Sequence, residues 1–267
     1  MSSSSVKAAF FGAELIGPEK GVPLLLLNGL FAARQSWDGA LGYLGQTRVI
    51  RYDARGQGET PAAEGVYRLE QQVADALAVL DGLDIQRCHL AGISNGARVA
   101  LALAAKHPER VVAIAAAHAF ANPTLVQRAV LQSWLEAHRA GGGTCRFDVA
   151  APWIWSETAM GDLPDLIASY RERADDRDHA AVESLILGAL DGSIDLSAVK
   201  APTLLLSGAH DLLTPPHAMQ AMADALPDAR LTVVAGAHAA LLERPALFAE
   251  TIAPFFAGLQ GGNAHVV

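Results

Sequence analysis

Several short runs of the chain are apolar at all or nearly all positions, and segments with the periodicity of amphipathic helices separate them. The clearest runs are Leu24–Leu27, Val111–Ala116 and Thr203–Ser207, which read LLLL, VVAIAA and TLLLS. A strand that is apolar on both faces has to be covered on both faces, as parallel strands are in α/β proteins. The alternation of such strands with helices therefore predicts an α/β fold with a mainly parallel, doubly wound sheet.

The same periodicity gives the bounds of the elements. Seven strands are predicted, at Ala8–Ile16, Leu24–Asn28, Arg48–Tyr52, Cys88–Gly92, Val111–Ala116, Thr203–Ser207 and Leu231–Val234. Five helices are predicted, at Ser36–Leu44, Leu69–Leu83, Asn95–His107, Pro216–Leu226 and Pro245–Leu259. Between 118 and 199 the chain is helical without strong strands. We therefore predict a core formed by residues 1–117 and 200–267, with a helical cap inserted at 118–199.

Charge and cysteine content exclude several classes of protein. Lys and Arg number 20 against 28 Asp and Glu, a net charge of −8, which argues against binding nucleic acid or anionic lipid. The two cysteines, Cys88 and Cys145, have no metal-ligand spacing, and we predict no metal site and no cofactor. No apolar run approaches the ~20 residues that span a bilayer. The default expectation is a cytoplasmic protein with a small-molecule substrate, and a homodimer stays open.

One motif with a chemical meaning lies between a predicted strand and a predicted helix. Gly92-Ile93-Ser94-Asn95-Gly96 has the pattern G-x-S-x-G, in which a sharp turn holds the serine in strained backbone geometry. Small residues two positions before and after the serine let neighbouring backbone pass. In this strand–motif–helix context the pattern favours a nucleophilic serine over a plain tight turn.

A serine nucleophile requires a base, and the base requires an orienting acid. Asp211 follows the predicted strand Thr203–Ser207, and His238 follows the predicted strand Leu231–Val234. Both residues should therefore lie at carboxyl ends of parallel strands, where open α/β sheets bind ligands. The chain order Ser, Asp, His is the order associated with this turn.

Four segments carry a resemblance to the α/β-hydrolase fold superfamily, within it to serine esterases and lactonases of the enol-lactonase type. They are LLLLNGLFAARQSWD, YDARGQGET, HLAGISNGARVALALAAKHPERV, and the pair APTLLLSGAHDLLTPP with GAHAALLERPALF. The resemblance covers nearly the whole chain. It implies that Ser94 is the nucleophile, Asp211 the orienting acid and His238 the general base, and the insertion matches the family's cap position.

The oxyanion hole follows from the motif and from the resemblance together. One donor should be the backbone N–H of Asn95, the residue after the nucleophile. The resemblance places the second donor just beyond a His-Gly pair, which here is Asn28-Gly29, so Leu30 is expected to supply it.

Four further side chains are expected to bind substrate. They are Phe31, His118, Trp153 and Trp155. His118 is expected there because it stands where the cap leaves a strand. Trp153 and Trp155 flank one residue, so in an extended segment both would face the same side.

The resulting prediction is a cofactor-free serine hydrolase that cleaves a carboxylic ester or lactone through an acyl-enzyme. Two alternatives remain open. An acyltransferase could use the same three residues, although Arg128, Arg139 and Arg146 are too scattered in sequence to form a docking patch for an acyl carrier. A receptor could keep the scaffold and turn its ligand over only slowly.

Overall fold

An eight-stranded sheet runs through the protein. The computed structural model describes residues 6–8 and 11–260, so residues 1–5, 9–10 and 261–267 of the predicted core lie outside the described residues. The strands are β1 (Val6–Ala8), β2 (Ala13–Ile16), β3 (Leu24–Leu27), β4 (Val49–Arg51), β5 (Cys88–Ile93), β6 (Val111–Ala117), β7 (Thr203–Gly208) and β8 (Ala229–Val234). Their order is β1-β2-β4-β3-β5-β6-β7-β8. Pairs β1–β2 and β2–β4 are antiparallel and the other pairs are parallel, which confirms the predicted fold class.

Helices cover both faces of this sheet. The helices of the described residues are α1 (Asp38–Leu41), α2 (Leu69–Gly82), α3 (Asn95–Lys106), α4 (Leu125–Ile154), α5 (Glu157–Asp162), α6 (Pro164–Glu172), α7 (His179–Leu190), α8 (Pro216–Ala225), α9 (Ala240–Glu243) and α10 (Pro245–Gln260). Of these, α1, α2, α3, α8, α9 and α10 pack on the sheet. Leu25 and Leu27 of β3 pack with α2, α3 and α8, whereas Leu24 and Leu26 pack with α1, α9 and α10. The all-leucine strand is therefore buried on both sides. None of the described helices is both long and apolar enough to cross a membrane.

Two predicted elements were wrong in their bounds. The strand predicted at Ala8–Ile16 is divided into β1 and β2, which pair as an antiparallel hairpin. Phe11 and Gly12, just before β2, have positive φ angles of 56° and 55°, which an extended strand cannot contain. The helix predicted at Ser36–Leu44 is a 3-10 turn at Arg34–Trp37 followed by the single turn of α1.

Helices α4 to α7 lie between β6 and β7, in the segment predicted as the cap. The long element α4 is two helices joined at a kink, where Gly141 and Gly142 have non-helical backbone angles. Gly142 has a φ of +73°, and a Cβ there would lie 2.7 Å from Asp175 Oδ1, so glycine suits both the angle and the space. The kink turns the chain back, and side chains from both halves of α4 pack with α7 in one apolar cluster.

His89 makes the stability of this fold depend on pH. Its ring is buried in β5 against Phe256 of α10, with the ring centroids 4.9 Å apart. Neither ring nitrogen has a hydrogen-bond partner among the described residues, and burial lowers the pKa of His89 from 6.5 to about 4. Between these values the unfolded chain binds a proton that the folded chain does not. Stability contributed by neutral His89 is therefore present above pH 6.5 and falls by up to about 3 kcal/mol as the pH drops to 4.

We expect His89→Leu to weaken this pH dependence. Urea unfolding at a series of pH values should show a smaller drop in the free energy of unfolding between pH 6.5 and pH 4, by about 3 kcal/mol. His217→Leu, at an exposed histidine of α8, is the control and should retain the wild-type slope. Equal slopes for His89→Leu and the wild type would contradict this explanation.

Candidate active site

Ser94 lies at the turn between β5 and α3, at the carboxyl edge of the sheet. Its backbone has φ 54° and ψ −119°, a strained conformation for a residue with a side chain. Two backbone hydrogen bonds hold the turn: Ser94 N–H donates to the Ala117 carbonyl at 2.8 Å, and Arg98 N–H donates to the Ser94 carbonyl at 3.0 Å. The sheet and α3 thus fix the serine in the geometry that the motif predicted.

The two glycines of the motif allow this turn to pack against its neighbours. A Cβ on Gly92 would lie 2.5 Å from the Gly96 carbonyl oxygen and 2.6 Å from Ala97 backbone atoms. A Cβ on Gly96 would lie 2.3 Å from the Leu27 carbonyl oxygen. These neighbours are backbone atoms of the central strands and of α3, so they have little freedom to move away.

We expect Gly96→Ala to destabilise the protein strongly. The added methyl group collides with the end of β3, and overpacking of this kind costs about 1–3 kcal/mol or more. Gly161→Ala is the matched control, because a Cβ at that position in α5 meets nothing within 4 Å. Urea titration should show a lower midpoint for Gly96→Ala and an unchanged or higher one for Gly161→Ala. A Gly96→Ala midpoint equal to that of the wild type would be incompatible with the packing described here.

Three of the sequence-predicted residues form one chain of hydrogen bonds. Ser94 Oγ lies 2.9 Å from His238 Nε2, and His238 Nδ1 lies 2.9 Å from Asp211 Oδ2. Asp211 and His238 are both buried. A carboxylate can only accept hydrogen bonds, so His238 carries its proton on Nδ1 and offers Nε2 as the acceptor for the serine hydroxyl.

Asp211 is held by four donors in addition to His238. Its Oδ1 accepts from the backbone N–H groups of Leu213 and Thr214, at 2.9 and 2.8 Å, and its Oδ2 accepts from the Thr214 hydroxyl at 2.7 Å. His118 Nδ1 contacts the same Oδ2 at 2.8 Å. Burial alone raises the pKa of this carboxyl group, but His238 and His118 outweigh it and hold the pKa well below its usual range. Asp211 is therefore ionised throughout the neutral range.

His118 was expected in the substrate pocket, and the structure places it elsewhere. Its backbone has a φ of +53°, its side chain is completely buried behind His238, and the two rings lie 5.3 Å apart. The Asp211 carboxylate draws the imidazole inward, away from the cavity. Burial lowers the pKa of His118 despite the hydrogen bond to Asp211, so its ring is neutral at pH 7.

His118, Asp211 and His238 form the one group of His, Cys, Asp and Glu within residues 6–8 and 11–260 that is close enough for a metal ion. Ligand atoms of His118, Asp211 and His238 lie within 4.8 Å of one another. However, Nδ1 of each histidine points at the Asp211 carboxylate rather than toward a shared point between the three. The geometry is that of a hydrogen-bonded acid and not that of a ligand set.

The loop after β3, which contains Leu30, passes beside Ser94. A Cβ on Gly29 would lie 3.4 Å from the Cβ of Ser94, so the loop passes directly beside the turn. Asn28 fixes the start of the loop: its Nδ2 donates to the Tyr52 carbonyl at 3.1 Å, and its Oδ1 accepts from Trp37 Nε1 at 2.7 Å. The asparagine that stands here in place of the histidine of the family pattern is thus fixed by hydrogen bonds on both of its amide atoms.

A largely apolar cavity of about 160 Å³ opens over Ser94 and His238. Phe31 and Trp155 lie in its wall, together with side chains from both halves of α4. Trp153 does not line it. The extended PWIW segment that would turn both tryptophans to one side does not form, because Trp153 lies within the last turn of α4 and Trp155 follows the helix end. The cap therefore closes the cavity over the serine with helix side chains.

Residues 22–245 match the family model of the alpha/beta hydrolase fold. The chain belongs to this family. The match includes β3 to β8 and the segment between β6 and β7, so the family predicted from the four sequence segments is confirmed. Membership in the α/β-hydrolase family also explains why three chain-distant loops meet at one edge of the sheet: each follows a parallel strand of the same fold.

Relatives of known name share most of the chain. A protein of Variovorax paradoxus, named RutD and provisionally assigned as a carbamate hydrolase, is 30% identical over 91% of this chain and 95% of its own length. The enol-lactonase from Burkholderia xenovorans superimposes with a TM-score of 0.86 at 28% identity, covering 94% of this chain and 100% of that one. A thermophilic esterase from Thermogutta terrifontis superimposes with a TM-score of 0.83 at 25% identity, covering 97% of this chain and 99% of the esterase. These names are those of hydrolases, and the prediction of a hydrolase is confirmed at this level.

Sequence reasoning missed several polar side chains of this α/β-hydrolase site. Thr214 lies three residues after Asp211, where an Asx-type turn is common, so its contact could have been anticipated. Trp134, Arg146 and Arg177 line the cavity from the cap. Their positions depend on the kink in α4 and on how the cap packs, which no local pattern indicates.

Proposed function

We propose that this protein hydrolyses a carboxylic ester or lactone through an acyl-enzyme on Ser94. The observation that carries the proposal is the continuous hydrogen-bonded chain from Ser94 Oγ through His238 to Asp211. It lies beneath the largely apolar cavity, and Ser94 is held at a strained turn facing that cavity. Backbone strain of this kind persists where the surrounding structure maintains it, as at active sites.

Proton transfer between serine and histidine starts the reaction. Ser94 Oγ attacks the substrate carbonyl carbon while His238 Nε2 takes the hydroxyl proton. Asp211 keeps the ring in the tautomer that has a free Nε2 and stabilises the imidazolium that forms. His238 then returns the proton to the leaving alcohol oxygen, and the acyl group stays on Ser94.

Deacylation repeats the same steps with water. His238 takes a proton from a water molecule, whose oxygen attacks the acyl carbonyl, and Ser94 leaves with the proton. In both halves the carbonyl oxygen becomes negatively charged. The backbone N–H groups of Leu30 and Asn95 are proposed to bind that oxygen, and losing one such donor typically lowers the rate by about 10²–10³-fold.

An assay on 4-nitrophenyl acetate, butyrate and octanoate tests this function. Steady release of 4-nitrophenol that depends on Ser94 supports hydrolysis, and the trend with chain length measures how much of the cavity the acyl group fills. An acyl adduct that forms but persists until an alcohol is added would support an acyltransferase instead. Specific ligand binding without any adduct would support a receptor.

Cleavage of a carbamate is the second candidate, and the similarity to RutD favours it. The same residues would act on a carbamate ester, with Ser94 carrying a carbamoyl group instead of an acyl group. Carbamoyl-serines hydrolyse slowly because the nitrogen lone pair stabilises the carbonyl. Comparing 4-nitrophenyl acetate with 4-nitrophenyl N-methylcarbamate distinguishes the two: steady turnover of the carbamate at a rate similar to the ester favours the second candidate.

A further inference from the structure

Two arginines of the cap line the cavity that Ser94 faces. Arg146 comes from the second half of α4 and is only 3% exposed, and Arg177 lies just before α7 and is half-buried. No Asp or Glu side chain lines this cavity within the described residues. A chain with a net charge of −8 thus has a positively charged binding cavity. Burying a cation without a counter-ion destabilises the folded protein, so the presence of these arginines in the cavity requires an explanation.

Arg146 has donors that the protein does not use. Its guanidinium stacks on the Phe31 ring, with Cζ 3.8 Å from the ring centroid. Its Nε is buried and has no hydrogen-bond partner, and no ion pair to Arg146 is found among the described residues. The carboxylate that raises its pKa, Asp175, is already hydrogen-bonded to Thr144 and to the Gly143 backbone. Burial, together with the charge of Arg177, lowers the pKa of Arg146 to about 10, so the group is still cationic at pH 7.

A second unsatisfied donor lies on the other half of α4. Trp134 Nε1 is buried at the cavity and has no partner among the described residues. Arg177 is partly satisfied, since it donates to the Phe31 carbonyl and, at 3.1 Å, to the Arg173 carbonyl. Burial and the charge of Arg173 lower the pKa of Arg177. Donors from three places on the cap therefore converge on one acid-free cavity.

The contact between Arg146 and the Phe31 ring also places the donors of the cap next to the candidate oxyanion hole. Phe31 directly follows Leu30, and its backbone has a φ of +61°. Arg146 packs on the Phe31 side chain while Arg177 holds its carbonyl. The charged groups therefore lie against the same loop that borders Ser94, within one cavity.

From these contacts we propose that the cavity binds a substrate that carries a carboxylate, with Arg146 and Trp134 Nε1 donating to it and Arg177 adding charge. The inference rests on the proposed serine hydrolysis and specifies its substrate class. A planar guanidinium matches a carboxylate with two parallel N–H···O bonds, and such charge-assisted bonds are the strong ones. The ester or lactone carbonyl would then lie at Ser94 and the carboxylate at the cap end of the same molecule.

Matched pairs of substrates test this. The mono(4-nitrophenyl) esters of succinate, glutarate and adipate are compared with isosteres in which an isopropyl group replaces the carboxylate. For glutarate the isostere is 4-nitrophenyl 5-methylhexanoate. The rate without enzyme is subtracted, because a neighbouring carboxylate hydrolyses such esters unaided. We expect kcat/KM to favour at least one acid over its isostere by about tenfold or more. Equal values for all three pairs would overturn the proposal.

Variants assign the preference to the arginine. Arg146→Met removes the charge and the N–H donors but keeps a long unbranched side chain at this position, and it should reduce the acid-to-isostere ratio of kcat/KM about tenfold or more. Trp134→Phe keeps the ring, removes the N–H donor and should reduce the ratio less. Arg139→Met, at an exposed arginine paired with Glu183 outside the cavity, is the control with the same charge change and should keep the ratio. An unchanged ratio in Arg146→Met would contradict the assignment.

A binding measurement keeps this inference separate from the hydrolysis itself. Calorimetric titration of Ser94→Ala with glutarate requires no turnover, and we expect binding that Arg146→Met weakens about tenfold or more. If the protein binds glutarate but cleaves no ester, the proposed carboxylate site stands and the proposed serine hydrolase function is refuted. Cleavage of the neutral isosteres without glutarate binding or acid preference would do the reverse.

Discussion

Replacing Ser94 by alanine is expected to lower kcat/KM for 4-nitrophenyl esters by about 10⁴-fold or more. The substitution removes Oγ, which lies 2.9 Å from His238 Nε2. Alanine retains the Cβ and both backbone hydrogen bonds of the turn, so the melting temperature should change little. Steady-state kinetics with the most rapidly cleaved ester, together with a thermal melt of the same sample, separates lost chemistry from lost folding.

Ser197→Ala is the control for this variant. Ser197 is exposed in the loop before β7, and its loss should leave both kinetics and melting unchanged. Full esterase activity in Ser94→Ala would show that another group performs the reaction. A folded Ser94→Ala protein that retains a tenth of the wild-type rate would also show that another group performs the reaction.

Replacing Asp211 by asparagine is expected to lower kcat by about 10⁴-fold while leaving substrate binding largely intact. The backbone N–H groups of Leu213 and Thr214 both donate to Oδ1, so they select the amide oxygen at that position. The amide NH₂ then occupies the place of Oδ2 and faces His238 Nδ1. A donor there favours the tautomer with a free Nδ1 and a protonated Nε2, which cannot accept the Ser94 proton.

His118 adds a cost in stability to the Asp211→Asn variant. The same Oδ2 accepts from His118 Nδ1 and from the Thr214 hydroxyl, and both lose their acceptor. Buried groups left unsatisfied cost about 1–3 kcal/mol each, so the urea midpoint should fall as well. Asp224→Asn, at an exposed site on α8, is the control and should change neither quantity. An Asp211→Asn enzyme with wild-type kcat would rule out Asp211 as the orienting acid.

The sequence predicted most of what local rules determine. The apolar runs LLLL and TLLLS predicted the buried parallel strands, because a strand covered on both faces needs apolar side chains on both faces. The spacing around Ser94 gave the strained turn, since only small residues fit where Gly92 and Gly96 meet backbone atoms. Asp211 and His238 followed from strand ends, which parallel topology brings to one edge of the sheet.

The cap could not be predicted in the same detail, because its geometry depends on packing between distant segments. Trp153 and Trp155 were treated as an extended pair, but α4 continues through Trp153 and separates the two side chains. Arg146 was considered only as part of a docking patch for an acyl carrier, whereas in the structure it lies after the kink of α4 and lines the cavity. His118 was misplaced for a similar reason: its attraction to Asp211, 93 residues away, is invisible in sequence.

The most direct test of the central claim is the mass of the intact protein after rapid acid quench with a 4-nitrophenyl ester, followed by peptide mapping. The account predicts an added acyl mass on the peptide that contains Ser94, formed within the first turnover and lost as the ester is consumed. Ser94→Ala should show no such mass. An acyl group on another residue, or rapid turnover with no adduct and no effect of Ser94→Ala, would contradict the account.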